Sequence, residues 1–368
     1  MLIAGAGMAG LCAAARAREL GAEPLVLEKG DRPGGSMLLS SCVIWRYRSF
    51  EEFRAQCPGG DPALQRVVFE GLDEGLAWLE SLGAAVVARE TDNPLTTGVR
   101  FDPGSLTDAL VRAGGDVHLG QPVRFGHVPG TVPGTWPERP VVLATGGFQG
   151  DRELVARYVR PAAPLRLRAN PWSAGDGLRL ALGRGAALSN GLNEFYGRNM
   201  ADLEFVEAEF VPLAQVYGRY ARVCNERGEE FFDGKVSWSE LDLVQATARQ
   251  PGARAWYVLD EQALEQRVRD RSVREIVAAA PTRIDPRELP FPAPEDAVAA
   301  VRVAAAITHT IGGIRIDERA RVLGENGEPM EGLYSAGADA GGISAGGYAS
   351  GLAAALVLGR TAAENALS

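Results

Sequence analysis

Histidine, cysteine, positive charge and contiguous hydrophobicity are all scarce in this chain. Its three histidines (His118, His127, His309) and four cysteines (Cys12, Cys42, Cys57, Cys224) stand far apart and form no CxxC pair, which argues against a zinc centre, any other metal site and a disulfide framework. No apolar run approaches the ~18 residues of a membrane span, and the longest of note, Leu352–Leu358, is rich in alanine. Met1-Leu2-Ile3-Ala4 passes straight into glycines, leaving no room for the basic and apolar regions of a secretory leader. Lys and Arg total 38 against 47 Asp and Glu, a net charge of −9; nucleic acid and anionic membrane surfaces both require a positive field and are disfavoured as partners. The expectation is a soluble, cytoplasmic protein with no nucleic-acid partner and no membrane insertion.

Glycine, by contrast, is abundant: 45 of 368 residues, with 22 prolines. The excess carries no period, so it signals tight turns and close backbone approaches in a globular chain, not a fibrous or disordered one. A chain of this length can bury a large core and form two or three domain-sized units. The first glycines are the most informative. A short apolar strand, Leu2–Ala4, runs into Gly5-Ala6-Gly7-Met8-Ala9-Gly10, then an Ala-rich helix to Leu20, Gly21 as its stop, and a second strand from Pro24 to Leu27 ending at Glu28. In such a β-α-β unit the three glycines serve the tight turn, the approach of a pyrophosphate and close helix-to-strand packing, while the helix N-terminus offers N–H donors and partial positive charge. Glu28, 18 residues after Gly10, stands where a carboxylate can accept hydrogen bonds from ribose hydroxyls. Together these features predict a dinucleotide site.

Further along, Asp61-Pro62 opens a helix whose Leu64, Val67, Val68, Leu72, Leu76 and Leu79 recur every three or four residues up to Gly83, the stripe of a core-facing helix. Residues 114–140 are rich in Gly and Pro and read as loop or very short strand, and His118 and His127 within them as exposed and inert. The apolar Val141–Ala144 runs into Thr145-Gly146-Gly147. From about Asn199 to Pro294 the chain becomes more charged and aromatic, with an Arg-rich segment (Arg267, Arg269, Arg271, Arg274) read as the solvated face of a helix. Glycine-rich turns return after Thr308, and a last helix is expected from Gly351 to Asn365. No internal repeat and no second GxGxxG are present. Turns concentrated at both ends around a polar middle predict an α/β fold: a Rossmann-like nucleotide-binding domain assembled from residues 1–198 and 301–368, with an α+β cap inserted at 199–300.

Six ordered stretches then carry a resemblance: GAGMAGLCAAARARELGAEPLVLEKGDRPGGS (5–36), VVLATGGF (141–148), SAGDGLRLALGRGAAL (173–188), THTIGGIRID (308–317), GLYSAGA (332–338) and GGYASGLAAALVLGR (346–360). They resemble the flavoprotein family of fumarate reductases, succinate dehydrogenase flavoprotein subunits and 3-ketosteroid dehydrogenases. The resemblance implies bound FAD, a small-molecule substrate held between flavin and cap, hydride transfer at flavin N5 across a carbon–carbon bond next to a carbonyl, and an external electron donor or acceptor. It places the pyrophosphate at Gly5, Gly7, Ala9 and Gly10, the ribose at Glu28 and Lys29, and the flavin side at Gly34, Gly35 and Ser36. Thr145, Gly146 and Asp176 would lie along the cofactor, with His309 beside the isoalloxazine. Gly337, Ala338 and Asp339 belong to the strand end that faces it, and Ser350, Gly351 and Leu352 to its pyrimidine edge. For Gly351 there is an independent reason: a helix starts there, and its dipole favours the negative charge of reduced flavin. The alternative is that Gly351 only begins a packed helix.

Departures from the family pattern bear on the substrate. The first histidine of the fumarate reductase His-His-Thr is Thr308 here, the arginine of the last glycine-rich loop is missing from Gly346-Gly347-Tyr348, and the cap arginine has no counterpart that can be located. The acid after the GLYxAG strand is Ala338, with Asp339 one residue late. A dicarboxylate therefore lacks its usual ligands, while Ser40–Trp45 and the Tyr348 loop look closer to the ketosteroid dehydrogenase branch. Tyr348 is the candidate catalytic residue, as proton carrier or as donor to a carbonyl, against a packing role. An oxidase of C–N or C–O bonds and a non-catalytic flavin- or ligand-binding protein are the alternative functions.

Overall fold

The computed structural model describes residues 1–91, 93–123, 138–232, 234–268 and 271–368. His127, Arg269 and most of the Gly/Pro-rich stretch lie outside the described residues. Two compact units emerge: Met1–Leu154 with Ala169–Glu194 and His309–Ser368, and Val155–Arg168 with Phe195–Thr308.

The first unit is built on a six-stranded sheet in the order 321–323, 329–335, 141–143, 2–4, 25–27, 117–118. Its central strands are parallel, with Ile3 opposite both Val26 and Val142, and both Leu2–Ala4 and Val141–Leu143 are wholly buried. Short, fully apolar strands of this kind suit a parallel sheet covered on both faces. The covering helices are Met8–Glu19, Pro103–Gly114 and Gly351–Ala366. Small side chains on the first helix let the last one pack closely: a Cβ at Gly359 would lie 2.4 Å from the Ala9 carbonyl oxygen. The expected helix at Asp61 runs from Pro62 to Ser81, with the Asp61 carboxylate accepting from the Ala63 and Leu64 amides and proline in its first turn. It accompanies an antiparallel sheet of Val43–Tyr47, Thr96–Phe101 and Val86–Ala88.

The second unit is the inserted α+β cap. Its spine is the 12-residue strand Ala299–Thr310, nearly continuous in buried Ala, Val and Ile, with Arg254–Leu259, Arg283–Ile284, Arg166–Leu167 and Phe195–Ala201 paired along it. Alternation along Arg254–Leu259 sends Ala255, Tyr257 and Leu259 into one apolar cluster and Trp256 and Val258 into another, so the aromatic richness of this region is core. Two features differ from expectation. Residues 155–168, 195–198 and 301–308 join this unit, because the strand Phe195–Ala201 and Arg166–Leu167 pair with Ala299–Thr310 and the Ala162 amide bonds the Ala248 carbonyl. The Arg-rich segment is not one helix: Arg267–Val268 pairs antiparallel with Arg271–Ser272. The helix begins only at Val273, where Ser272 and Glu275 form a reciprocal capping box, satisfying amides that would otherwise be orphaned.

Candidate cofactor and substrate site

The first turn is shaped by three glycines with three different surroundings. Gly5 adopts φ +104°, a conformation side chains resist, and a Cβ there would lie 2.2 Å from the Ala144 carbonyl oxygen. A Cβ on Gly10 would lie 1.9 Å from the Gly5 carbonyl oxygen, whereas Gly7 has nothing within 4 Å of that position. Gly7 is also the N-cap of the first helix and offers no side-chain cap, so the opening amides have neither an intrahelical nor a capping side-chain partner. Two glycines thus bring backbone against backbone, and the third leaves a cradle that any Cβ would fill. A pyrophosphate fits such a cradle.

Glu28 is buried, and its carboxylate accepts from the Ala6 amide at 2.7 Å and the Gly30 amide at 2.6 Å. The expected ribose ligand therefore also ties the glycine turn, at Ala6, to the segment after the second strand, at Gly30, each oxygen keeping a further lone pair for a hydroxyl. Lys29 pairs with Asp176 at 2.8 Å, bringing two of the predicted residues together. Gly34 donates to the Ala6 carbonyl at 2.8 Å and bridges Gly7, with Gly35 beside it. The Ser36 hydroxyl accepts from Asn170 Nδ2 at 2.9 Å, and Asn170 Oδ1 accepts from the Trp172 and Ser173 amides and the Ser173 hydroxyl. Asn170 was not legible as a site residue, since Ser36, the partner that brings it to the site, lies 134 residues away.

Two predicted contacts take a different form. The Asp339 carboxylate, 1% exposed, accepts from the Thr145 amide and hydroxyl and from the Gly147 amide at 2.9 Å. It braces the Thr145-Gly146-Gly147 turn from within the core, and the Thr145 hydroxyl in turn accepts from the Gly177 amide. Burial raises the Asp339 pKa above the usual carboxylate range, opposed by the hydrogen bonds it accepts. Ala9 is likewise a packing residue: its methyl lies against Gly337 and its carbonyl against Gly359. Gly5, Gly7, Lys29, Gly35, Ser36, Thr145, Gly146, Asp176, His309, Gly337, Ala338, Gly351 and Leu352, by contrast, all remain partly accessible.

At the other end, Ser350 caps the C-terminal helix by accepting from the Ala353 amide at 3.3 Å. His309 Nδ1 is 3.1 Å from the Thr310 carbonyl oxygen, which requires Nδ1 to carry the proton. A Cβ on Gly351 would lie 3.2 Å from His309 Nε2, so the ring abuts the helix start. Burial lowers the His309 pKa, partly opposed by the bond to Thr310, favouring neutral imidazole. The Tyr348 ring is 6.2 Å from that of His309 and meets Trp45 edge-on at 5.6 Å.

The loop carrying Tyr348 is held from several sides. Gln65 Nε2 donates to the Ile343 carbonyl at 2.8 Å and the Cys57 carbonyl at 2.9 Å. The Glu194 carboxylate accepts from the Gly346 amide at 2.7 Å, and the Tyr47 hydroxyl donates to the Tyr348 carbonyl at 2.7 Å. In the second unit, Thr308 accepts from Arg168 Nη1 at 3.1 Å, while Arg168 Nε donates to the Phe210 carbonyl.

A parallel sheet with a glycine turn, an uncapped helix, a buried acid and a second helix start lined by His309 defines a dinucleotide-binding flavoprotein. The family model described as an FAD binding domain matches residues 80–352, and one for an NAD(P)-binding Rossmann-like domain matches residues 3–41. The chain belongs to this FAD-binding family, is an FAD-dependent oxidoreductase, and takes FAD as its cofactor. A probable fumarate reductase, Ifc3, of Shewanella frigidimarina is 24% identical over 455 residues, covering 100% of this chain and 74% of that protein. The open conformation of a flavocytochrome c3 fumarate reductase shares the fold with TM-score 0.75 at 22% identity, covering 100% of this chain and 77% of the other. The 3-ketosteroid delta1-dehydrogenase from Sterolibacterium denitrificans does so with TM-score 0.75 at 17% identity, covering 100% and 98%. Among the described residues no helix is long and apolar enough to cross a membrane.

Proposed function

We propose that this chain catalyses desaturation, or its reverse, of the carbon–carbon bond adjacent to a carbonyl in an uncharged, cyclic ketone-like small molecule, exchanging electrons with an external donor or acceptor. When bound, FAD supplies the hydride acceptor or donor at N5. The Gly5–Gly10 turn, Glu28 and the Lys29–Asp176 pair would hold its ADP portion, and the strand ends at Thr145 and His309, with the helix start at Gly351, its flavin portion. The observation that carries the substrate reading is the composition of the loop before the C-terminal helix. Where fumarate reductases resembling this chain have an arginine, it has Gly346-Gly347-Tyr348, and the Tyr348 ring is flanked by Trp45 and His309. A wall of rings accommodates a flat apolar substrate and offers one hydroxyl, and no cation, to an oxygen.

In this reading the Tyr348 hydroxyl donates to the substrate carbonyl or passes a proton at the carbon alpha to it. A phenol is an effective donor near neutrality, whereas acting as base would require its anion to be stabilised. Neutral His309 neither repels a cationic group nor competes for the enolate charge, and the helix start at Gly351 favours negative charge nearby. The experiment is anaerobic mixing of the purified flavoprotein with a panel of cyclic ketones and enones, with fumarate as the contrast. Flavin bleaching or recovery with a cyclic ketone or enone, and none with fumarate, is expected. Tyr348→Phe should retain FAD and lose about 10²-fold in turnover; bound flavin with unchanged kcat would reduce Tyr348 to a packing residue.

A further inference from the structure

We propose that Tyr47 is a positioning residue that sets where the Tyr348 ring stands, through a hydrogen bond to the Tyr348 backbone and a shared aromatic wall. The inference rests on the reading of Tyr348 given above and names what fixes it. Tyr47 ends the strand Val43–Tyr47 and is 6% exposed. Its hydroxyl has one proton, and that proton goes to the Tyr348 carbonyl oxygen at 2.7 Å. The result is a directed bond from the Tyr47 O–H to the Tyr348 carbonyl. Burial raises the Tyr47 pKa, so the hydroxyl keeps its proton, and the bond its direction, throughout the neutral range.

The rings complete the arrangement. Tyr47 packs on Phe53 at 5.5 Å and meets Trp45 edge-on at 5.4 Å, and Trp45 meets Tyr348 edge-on at 5.6 Å. Tyr348 follows two glycines, which leave the backbone many conformations. Gly347 already sits against Cys57, where a Cβ would come within 3.1 Å of the sulfur. A loop of this kind gains a single conformation only from anchors outside itself, and Tyr47 supplies the anchor at the residue that matters. Tyr47 acts through Tyr348 and is not itself a catalytic residue.

The test compares wild type, Tyr47→Phe and Tyr348→Phe as FAD-loaded full-length proteins labelled with 3-fluorotyrosine. The Tyr348 fluorine line is assigned by its absence from Tyr348→Phe. In Tyr47→Phe we expect that line to shift or split while the lines of Tyr217 and Tyr257 stay in place. Turnover of the best enone of the panel should fall about tenfold with KM within threefold, and the pH profile of kcat should change shape. A Tyr348 line unmoved in Tyr47→Phe, or wild-type turnover by that variant, overturns the proposal. Should Tyr47→Phe fail to retain FAD, Phe53→Leu takes its place, since it loosens the ring on which Tyr47 packs and leaves the Tyr47 hydroxyl intact. Loosening that packing should move the Tyr348 line in a smaller step, and an unmoved line overturns the proposal there too. Full turnover by Tyr348→Phe would instead overturn the reading of Tyr348, and the positioning role with it, whatever the fluorine lines show.

Discussion

Gly7 and Gly10 differ by three positions, and the structure requires opposite consequences from the same substitution. At Gly7 an added methyl meets no protein atom within 4 Å, and the backbone at φ −80°, ψ −171° is extended and open to alanine. Alanine is a poorer N-cap than glycine by up to about 1 kcal/mol, offset by roughly 0.4–1 kcal/mol from the smaller entropy of the unfolded chain. The apoprotein of Gly7→Ala should therefore unfold within about 1 kcal/mol of wild type. Its FAD affinity should fall roughly 10- to 100-fold, the loss of one charge-assisted amide contact worth about 1.5–3 kcal/mol, and Gly7→Val should lose more. At Gly10 the methyl would sit 1.9 Å from the Gly5 carbonyl oxygen, against 3.4 Å for ordinary contact, so helix and strand must separate by about 1.5 Å. Overpacking on that scale costs about 1–3 kcal/mol or more before any cofactor is present. Urea unfolding of the apoproteins and FAD titration by flavin fluorescence read the two quantities separately. Unchanged FAD affinity in Gly7→Val, or an apo Gly10→Ala as stable as wild type, would refute the steric assignment of the two glycines.

The parts of this molecule legible in sequence are those whose cause is local. The glycine turn is readable because each glycine answers to a neighbour a few residues away or to the adjoining strand, and the helix at Pro62 because its cap and its apolar stripe lie within it. The Ser272–Glu275 box is equally local: a serine followed three residues later by a glutamate marks Val273 as the helix start. What could not be read depends on partners far apart in the chain. Asp339 reaches Thr145 across 194 residues and Asn170 reaches Ser36 across 134, and spacing cannot distinguish a carboxylate facing a ligand from one bracing a loop. The same limit hid Tyr47, whose partner Tyr348 is 301 positions away, and the transfer of residues 155–168 to the second unit, which depends on pairing with a strand more than 130 residues later.

Four further outcomes are expected. Heating should release a yellow chromophore that chromatographs as FAD; recovery of FMN, or of no flavin from a folded sample, would contradict the cofactor assignment. Anaerobic NADPH alone should leave the flavin oxidised on the turnover timescale, since no second GxGxxG is present, and rapid full bleaching would refute this. Asp339→Asn replaces an acceptor-only group with one that must point an N–H at an amide or hydroxyl of the Thr145–Gly147 turn, so it should cost about 1–3 kcal/mol and weaken FAD retention; an unchanged melting temperature and FAD affinity would mean that the turn does not depend on it. The fourth concerns Glu240 in the second unit, which is 4% exposed and caps the helix Leu241–Ala248 at φ +52°. Burial raises its pKa, opposed by Arg198, Arg219 and the Arg219 and Gly218 amides, and Tyr217 and Tyr257 are the other titratable groups whose charges it feels. The raised value fixes the sign. From about pH 4.5 upward the unfolded chain gives up this proton while the folded protein keeps it, so Glu240 contributes stability below that pH that is lost as pH rises through the folded value. Glu240→Gln keeps the shape and removes the titration. Denaturation midpoints measured from pH 4 to 9 should therefore decline less steeply with rising pH in the variant than in wild type. Parallel profiles would show that Glu240 ionises in the folded protein as freely as in the unfolded chain.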